Sequence, residues 1–84
     1  MKIYLVIHED RHTDVEVEAF SDKEKSIEYA RKRAKSCVHE DYLEDYQESD
    51  ILGWLFFASY SGVGDSVRVI EVELDKELGW LLGN

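Results

Sequence analysis

Ser21-Asp22-Lys23-Glu24-Lys25-Ser26-Ile27-Glu28-Tyr29-Ala30-Arg31-Lys32-Arg33-Ala34-Lys35-Ser36-Cys37-Val38 is the stretch on which the fold turns. It opens with the S-x-x-E spacing of a capping box, in which Ser21 accepts from the Glu24 amide and the Glu24 carboxylate returns to the Ser21 amide. Asp22 and Glu24 suit the positive end of a helix dipole. Ile27, Ala30, Ala34, Cys37 and Val38 then recur at spacings of three and four, one narrow stripe of mostly small side chains. Small residues let a helix lie close on a sheet. The spacing predicts one helix over residues 22–39.

Both flanks read as strand pairs. Residues 2–8 alternate, with Ile3, Leu5 and Ile7 on one face and Tyr4, Val6 and His8 on the other. Residues 15–20 alternate again, Val15, Val17 and Ala19 pointing inward while Glu16 and Glu18 point to solvent. The polar run from Glu9 to Asp14 joins them as a hairpin. Beyond the helix, residues 51–60 are nearly all apolar and read as a buried strand. Ser61-Gly62-Val63-Gly64-Asp65 is a turn by its glycines. Residues 67–74 close the pattern, Ile70, Val72 and Leu74 on one side and Val67, Val69, Glu71 and Glu73 on the other.

The expected fold is therefore α+β, in the order ββαββ: a four-stranded antiparallel sheet with one helix on one face, in a single domain spanning residues 1–84. One helix covers one face, so the other is expected to show Tyr4, Val6, Val67 and Val69 among carboxylates. The last residues, 75–84, include Leu78-Gly79-Trp80-Leu81-Leu82, an apolar tail that either folds back on the open face or forms an interface.

Composition narrows the function. An apolar fraction of 44% with 12% aromatics supplies a core and argues against disorder. The single cysteine, Cys37, rules out an internal disulfide. No run reaches the roughly 18 apolar residues of a membrane span, and the N-terminal strand lacks the features of a signal peptide. A cytoplasmic setting is the expectation. The net charge of −9 argues against general nucleic-acid or anionic-membrane binding, which need positive patches. It suits a basic protein partner, cation binding, or solubility alone.

Four motifs invite chemistry and lack its context. His8-Glu9-Asp10-Arg11-His12 is a literal H-E-x-x-H, but zinc proteases carry it on a helix, where both histidines share a face. Here it joins two strands. A looser metal set of His8, His12, Cys37 and His39 is a minor alternative, set against a Cys37 that fits the apolar helix stripe. A Cys37 nucleophile would need a pocket and an oxyanion hole. Gly62-Val63-Gly64 joins strands, whereas a phosphate cradle wants a helix to follow. No catalytic residue and no cofactor is expected.

Charge is the remaining signal. Glu40, Asp41, Glu44, Asp45, Glu48 and Asp50 crowd one segment without a basic residue, and the register of a calcium loop is missing. Lys23, Lys25, Arg31, Lys32, Arg33 and Lys35 make the helix basic. Glu16 with Glu18, and Glu71 with Glu73, sit two apart on strands and so share a face at about 6.6–7 Å, comparable with neighbouring phosphates. These ten carboxylates and Trp80 form the expected partner-binding set.

Residues 4–15, 53–60 and 64–69, Tyr4-Leu5-Val6-Ile7-His8-Glu9-Asp10-Arg11-His12-Thr13-Asp14-Val15, Gly53-Trp54-Leu55-Phe56-Phe57-Ala58-Ser59-Tyr60 and Gly64-Asp65-Ser66-Val67-Arg68-Val69, resemble uncharacterised small proteins of bacteria and their phages. In size, acidity and build the chain is also similar to anti-CRISPR and other anti-defence proteins. That likeness implies an inhibitor that blocks the basic cleft of a nucleic-acid-handling complex, with no residue carried over. The alternative is a structural or regulatory homodimer.

Overall fold

The computed structural model describes residues 1–38, 40–61 and 64–74. Strand β1 (Lys2–Glu9) pairs with β2 (Glu16–Phe20), helix α1 (Lys23–Cys37) follows, and a 3₁₀ helix (Glu40–Asp45) leads to β3 (Gln47–Glu48), β4 (Phe56–Ser59) and β5 (Ser66–Glu73). The class is α+β. The sheet is open, with five antiparallel strands in the order β2-β1-β5-β4-β3. No helix among the described residues is long and apolar enough to cross a membrane.

The strand count corrects the ββαββ expectation of four. The fifth strand is β3, drawn from the acidic segment, with Gln47 opposite Ser59 and Glu48 opposite Ala58. Two residues are too few to show a period of two. Tertiary contacts hold it instead: Ser49 N donates to Phe57 O at 3.0 Å, and Arg31 grips Glu48 from the helix. The stretch 51–60 is likewise a strand only from Phe56 onward. Its first residues turn, Trp54 N donating to Ile51 O at 3.1 Å with Gly53 at φ 93°, a left-handed conformation that glycine adopts at little cost.

The cap moves by one residue. Asp22 is the N-cap in extended conformation, and its carboxylate accepts from Lys25 N at 3.0 Å. Ser26 N donates to Asp22 O, closing the first turn. Ser26, Ala30 and Ala34 are buried at 0% exposure, so the stripe of small residues does face the sheet.

The larger correction concerns which sheet face the helix takes. Register sets Val6 opposite Val69, His8 opposite Val67, Phe56 opposite Val69 and Ala58 opposite Val67. These side chains share one face, and all but His8 form the core with Ala30, Ala34 and Tyr60. Helix α1 thus covers the Tyr4–Val6–His8 face, the one expected to be open. Val6, Val67 and Val69 are at most 2% exposed, each burial contributing about 1.5–3 kcal/mol. The face that was expected to be dry, Ile3, Leu5 and Ile7 with Ile70 and Val72, has no described element packed on it. Val15 and Val17, expected inward, are 58% and 55% exposed. The reason is shape: alanines and a serine seat closely over short valines and Ala58, where isoleucines and a leucine would hold the helix off.

Candidate functional site

The helix reaches both sheet edges. Positions two apart on an α-helix point roughly 200° from each other, so Arg31 and Arg33 extend in opposite directions. Arg33 Nη2 donates to Glu16 on β2 at 2.8 Å. Arg31 donates to both carboxylate oxygens of Glu48 on β3, at 3.0 and 3.1 Å. Tyr46 OH donates to the same Glu48 at 2.7 Å. Arg31 and Tyr46 hold the Glu48 carboxyl below its usual range, the Arg31 bond contributing most. Burial, then Glu48, pushes the Tyr46 phenol up to about 12.

Two of the expected partner-binding carboxylates are therefore engaged internally. Glu71 lies 3.9 Å from Lys2, and Glu73 lies 3.4 Å from the N-terminal amine. Glu18 is exposed and has no ion-pair partner among the described residues. Nor do the rows merge. Glu16 and Glu18 occupy one edge strand, Glu48 the other, four strand spacings or about 19 Å away, while Glu71 and Glu73 lie on the central β5. A continuous rod of negative charge does not form from these strands.

The segment from Leu43 to Leu52 is different. Glu44, Asp45 and Asp50 are exposed, with no hydrogen-bond or ion-pair partner among the described residues. Among them stand three exposed large apolar side chains, Leu43 at 62%, Ile51 at 37% and Leu52 at 102%. Leu52 projects from the turn that Gly53 permits. Trp54 fastens that turn by stacking on Phe57, centroids 5.3 Å apart, with the Arg68 guanidinium 5.2 Å above its ring. Beside it a shallow groove of about 310 Å³ runs between α1 and β4, lined by Ile27, Arg31, Glu48, Asp50 and Leu55. Glu40 and Asp41 sit on the adjoining 3₁₀ helix. Trp80 lies outside the described residues.

A second constellation escaped sequence reasoning. His8 is 7% exposed, its Nε2 2.6 Å from Tyr60 OH, and Tyr60 OH donates in turn to Asp10. On the other side Arg33 Nε donates to His8 Nδ1 at 3.2 Å. The donors run in one direction, from Arg33 through His8 and Tyr60 to Asp10, which assigns the His8 proton to Nε2. The Tyr60 bond, then the His12 amide, holds the Asp10 carboxyl below its usual range. Burial, then Asp10, raises the Tyr60 phenol. Beside this chain Asp65 accepts from Arg11 N and Ser61 Oγ, both at 3.0 Å. The loop after β1 is thereby tied to the hairpin between β4 and β5. His8 and Asp10 are fifty or more positions from Tyr60, and Arg11 is as far from Asp65, so no local pattern links them.

Cys37 Sγ lies 4.0 Å from His8 Nε2. Since that nitrogen carries the proton and Nδ1 accepts from Arg33, His8 has no free lone pair with which to act as base toward the thiol. The H-E-x-x-H residues diverge as well. His8 faces the helix, Glu9 is on the opposite sheet face paired with Arg68 at 2.8 Å, and His12 is exposed in the hairpin loop. Among the described residues no three His, Cys, Asp or Glu side chains group as a metal site; His39 lies outside them. No family model, curated protein or solved structure matches the chain.

Proposed function

We propose that the protein is a cytoplasmic binding protein without catalytic activity, an acidic inhibitor carried by a phage or mobile element. It occupies a basic nucleic-acid-binding site of a host defence complex. One observation carries this reading: within the single segment 43–52, Glu44, Asp45 and Asp50, unpaired among the described residues, are interspersed with the exposed Leu43, Ile51 and Leu52. Carboxylates free of internal partners steer the approach to a basic surface, and apolar side chains held on an anchored turn supply contact area at low ordering cost. Glu16 and Glu48 hold the fold together, and Glu18, Glu71 and Glu73 lie at the margins of the contact.

The test is affinity capture from host lysate with wild type beside a variant carrying Glu44→Gln, Asp45→Asn and Asp50→Asn. A nucleic-acid-handling complex retained by wild type alone, and released by raised salt, supports the reading. Retention that survives both neutralisation and high salt overturns its electrostatic basis. A second reading, a homodimer joined through the sheet face opposite α1, is favoured by the apolar side chains Ile3, Leu5, Ile7, Ile70 and Val72 there. Its test is the mass in solution at high concentration.

A further inference from the structure

The two outer strands of the sheet differ. β3 is two residues long, and its Glu48 is held by Arg31 and Tyr46. β2 is five residues long, about 17 Å, and pairs only with β1 among the described residues. Alternate backbone N–H and C=O groups of an outer strand point away from its neighbour. Those of β2 have no partner among the described residues, so this edge can template one more strand.

The side chains say which strand fits. Register with β1 puts Glu16, Glu18 and Phe20 on the face of His8, Val6 and Tyr4, and puts Val17 and Ala19 on the face of Ile7 and Leu5. Phe20 is occupied by Tyr29, their rings 5.2 Å apart. Glu18 is exposed and has no ion-pair partner among the described residues. Glu16 accepts from Arg33 through one oxygen only. Val17 is 55% exposed. One face of the edge thus offers two carboxylates about 6.6–7 Å apart, and the other a valine and an alanine.

We propose that β2 is a docking edge for an extended segment of a partner protein in which basic and apolar residues alternate. Basic side chains two apart on the incoming strand stand opposite Glu16 and Glu18, and its apolar ones continue the face of Val17 and Ala19. A second copy of the chain does not fit. With both helices on one side of a joined sheet, carboxylate meets carboxylate; with helices on opposite sides, carboxylate meets valine or alanine. Two copies that each carry −9 also repel on approach. This contact lies at the opposite sheet edge from β3 and is independent of segment 43–52.

The experiment titrates the full chain, in physiological salt, with a short fluorescent peptide alternating lysine and valine. The controls are a peptide of the same composition with its lysines grouped, and two versions N-methylated on one or the other alternate set of backbone amides. Amide shifts and exchange locate the contact. The expected result is binding that slows exchange within residues 16–20. Grouping the lysines or methylating one of the two amide sets, but not the other, should abolish it. Glu18→Lys should weaken it about tenfold, while the variant neutral at Glu44, Asp45 and Asp50 should bind as wild type does. Equal binding of all the peptides would mean charge alone and overturns the proposal. So does an absence of binding, a contact outside residues 16–20, or a β2 whose amides are all protected before peptide is added. Should Glu18→Lys fail to fold, the methylated peptides on wild type decide.

Discussion

Arg31 and Arg33 stand two positions apart on α1 and hold opposite edges of one sheet, Arg31 through Glu48 on β3 and Arg33 through Glu16 on β2. The helix is thereby seated at both ends of its width. The same two ion pairs engage Glu16 and Glu48 within the fold.

Glu48→Gln removes the paired bonds at an edge only two residues long. Arg31 is 44% and Glu48 37% exposed, so solvent screens the pair and the expected loss is small, about 0.5–1 kcal/mol in urea unfolding. The sharper readout is local. Amide exchange at Ser49, whose N–H bonds to Phe57 O, should accelerate well beyond that of β5. Unchanged exchange there would mean the backbone ladder holds β3 by itself.

Tyr60→Phe leaves the His8 Nε2–H and the Asp10 carboxylate without their shared partner. The expected destabilisation is about 1–3 kcal/mol, the range for a buried polar group left unsatisfied. Chemical unfolding with unchanged m-value checks it. A cost below about 0.5 kcal/mol would show that water replaces the phenol.

Acid should weaken the fold through Asp10 and Glu48. Both carboxyls are held below their ordinary values of 3.8 and 4.5, so the native state binds fewer protons than the unfolded chain as those groups titrate. Their contribution is fully present above the ordinary carboxylate range and is lost as pH falls through it toward the folded values. Asp10→Asn should flatten the dependence of the unfolding midpoint on pH below about 5.

Alkali acts with the opposite sign. The Tyr46 phenol, raised from 10.0 to about 12, keeps its proton in the native state where the unfolded chain has lost it. Its stabilisation is present below pH 10 and lost as pH rises from there through about 12. Ultraviolet titration at 295 nm should show one phenol ionising near 12, and Tyr46→Phe should remove that step.

Leu52→Ala should leave stability within about 0.5 kcal/mol, because the side chain is fully exposed and loses no packing. Under the proposed function it should weaken capture of a partner without changing the salt dependence. Gly53→Ala is the contrasting variant. A Cβ meets nothing within 4 Å, yet φ +93° strains any L side chain, for about 1–2 kcal/mol.

The local alternation and the helix spacing were enough to predict an α+β chain, the extents of β1 and β5, and a helix whose small residues face the sheet. These depend on neighbours within a few positions, and periods of 2 and 3.6 record them directly. Composition likewise marks the acidic segment, in which Glu44, Asp45 and Asp50 have no partner among the described residues while Glu48 is paired with Arg31. The choice of face could not be read this way, because β1 is apolar on both sides: Ile3, Leu5 and Ile7 alternate with Tyr4 and Val6. What decided it was the fit of Ser26, Ala30 and Ala34 against Val6, Val67, Val69 and Ala58, together with the Arg31 and Arg33 anchors, all of which exist only once distant strands are in register. The same holds for β3, too short to carry a period, and for the bonds from Arg33 through His8 and Tyr60 to Asp10. Residues so far apart in sequence acquire a meaning for one another only when the sheet brings them within hydrogen-bond reach.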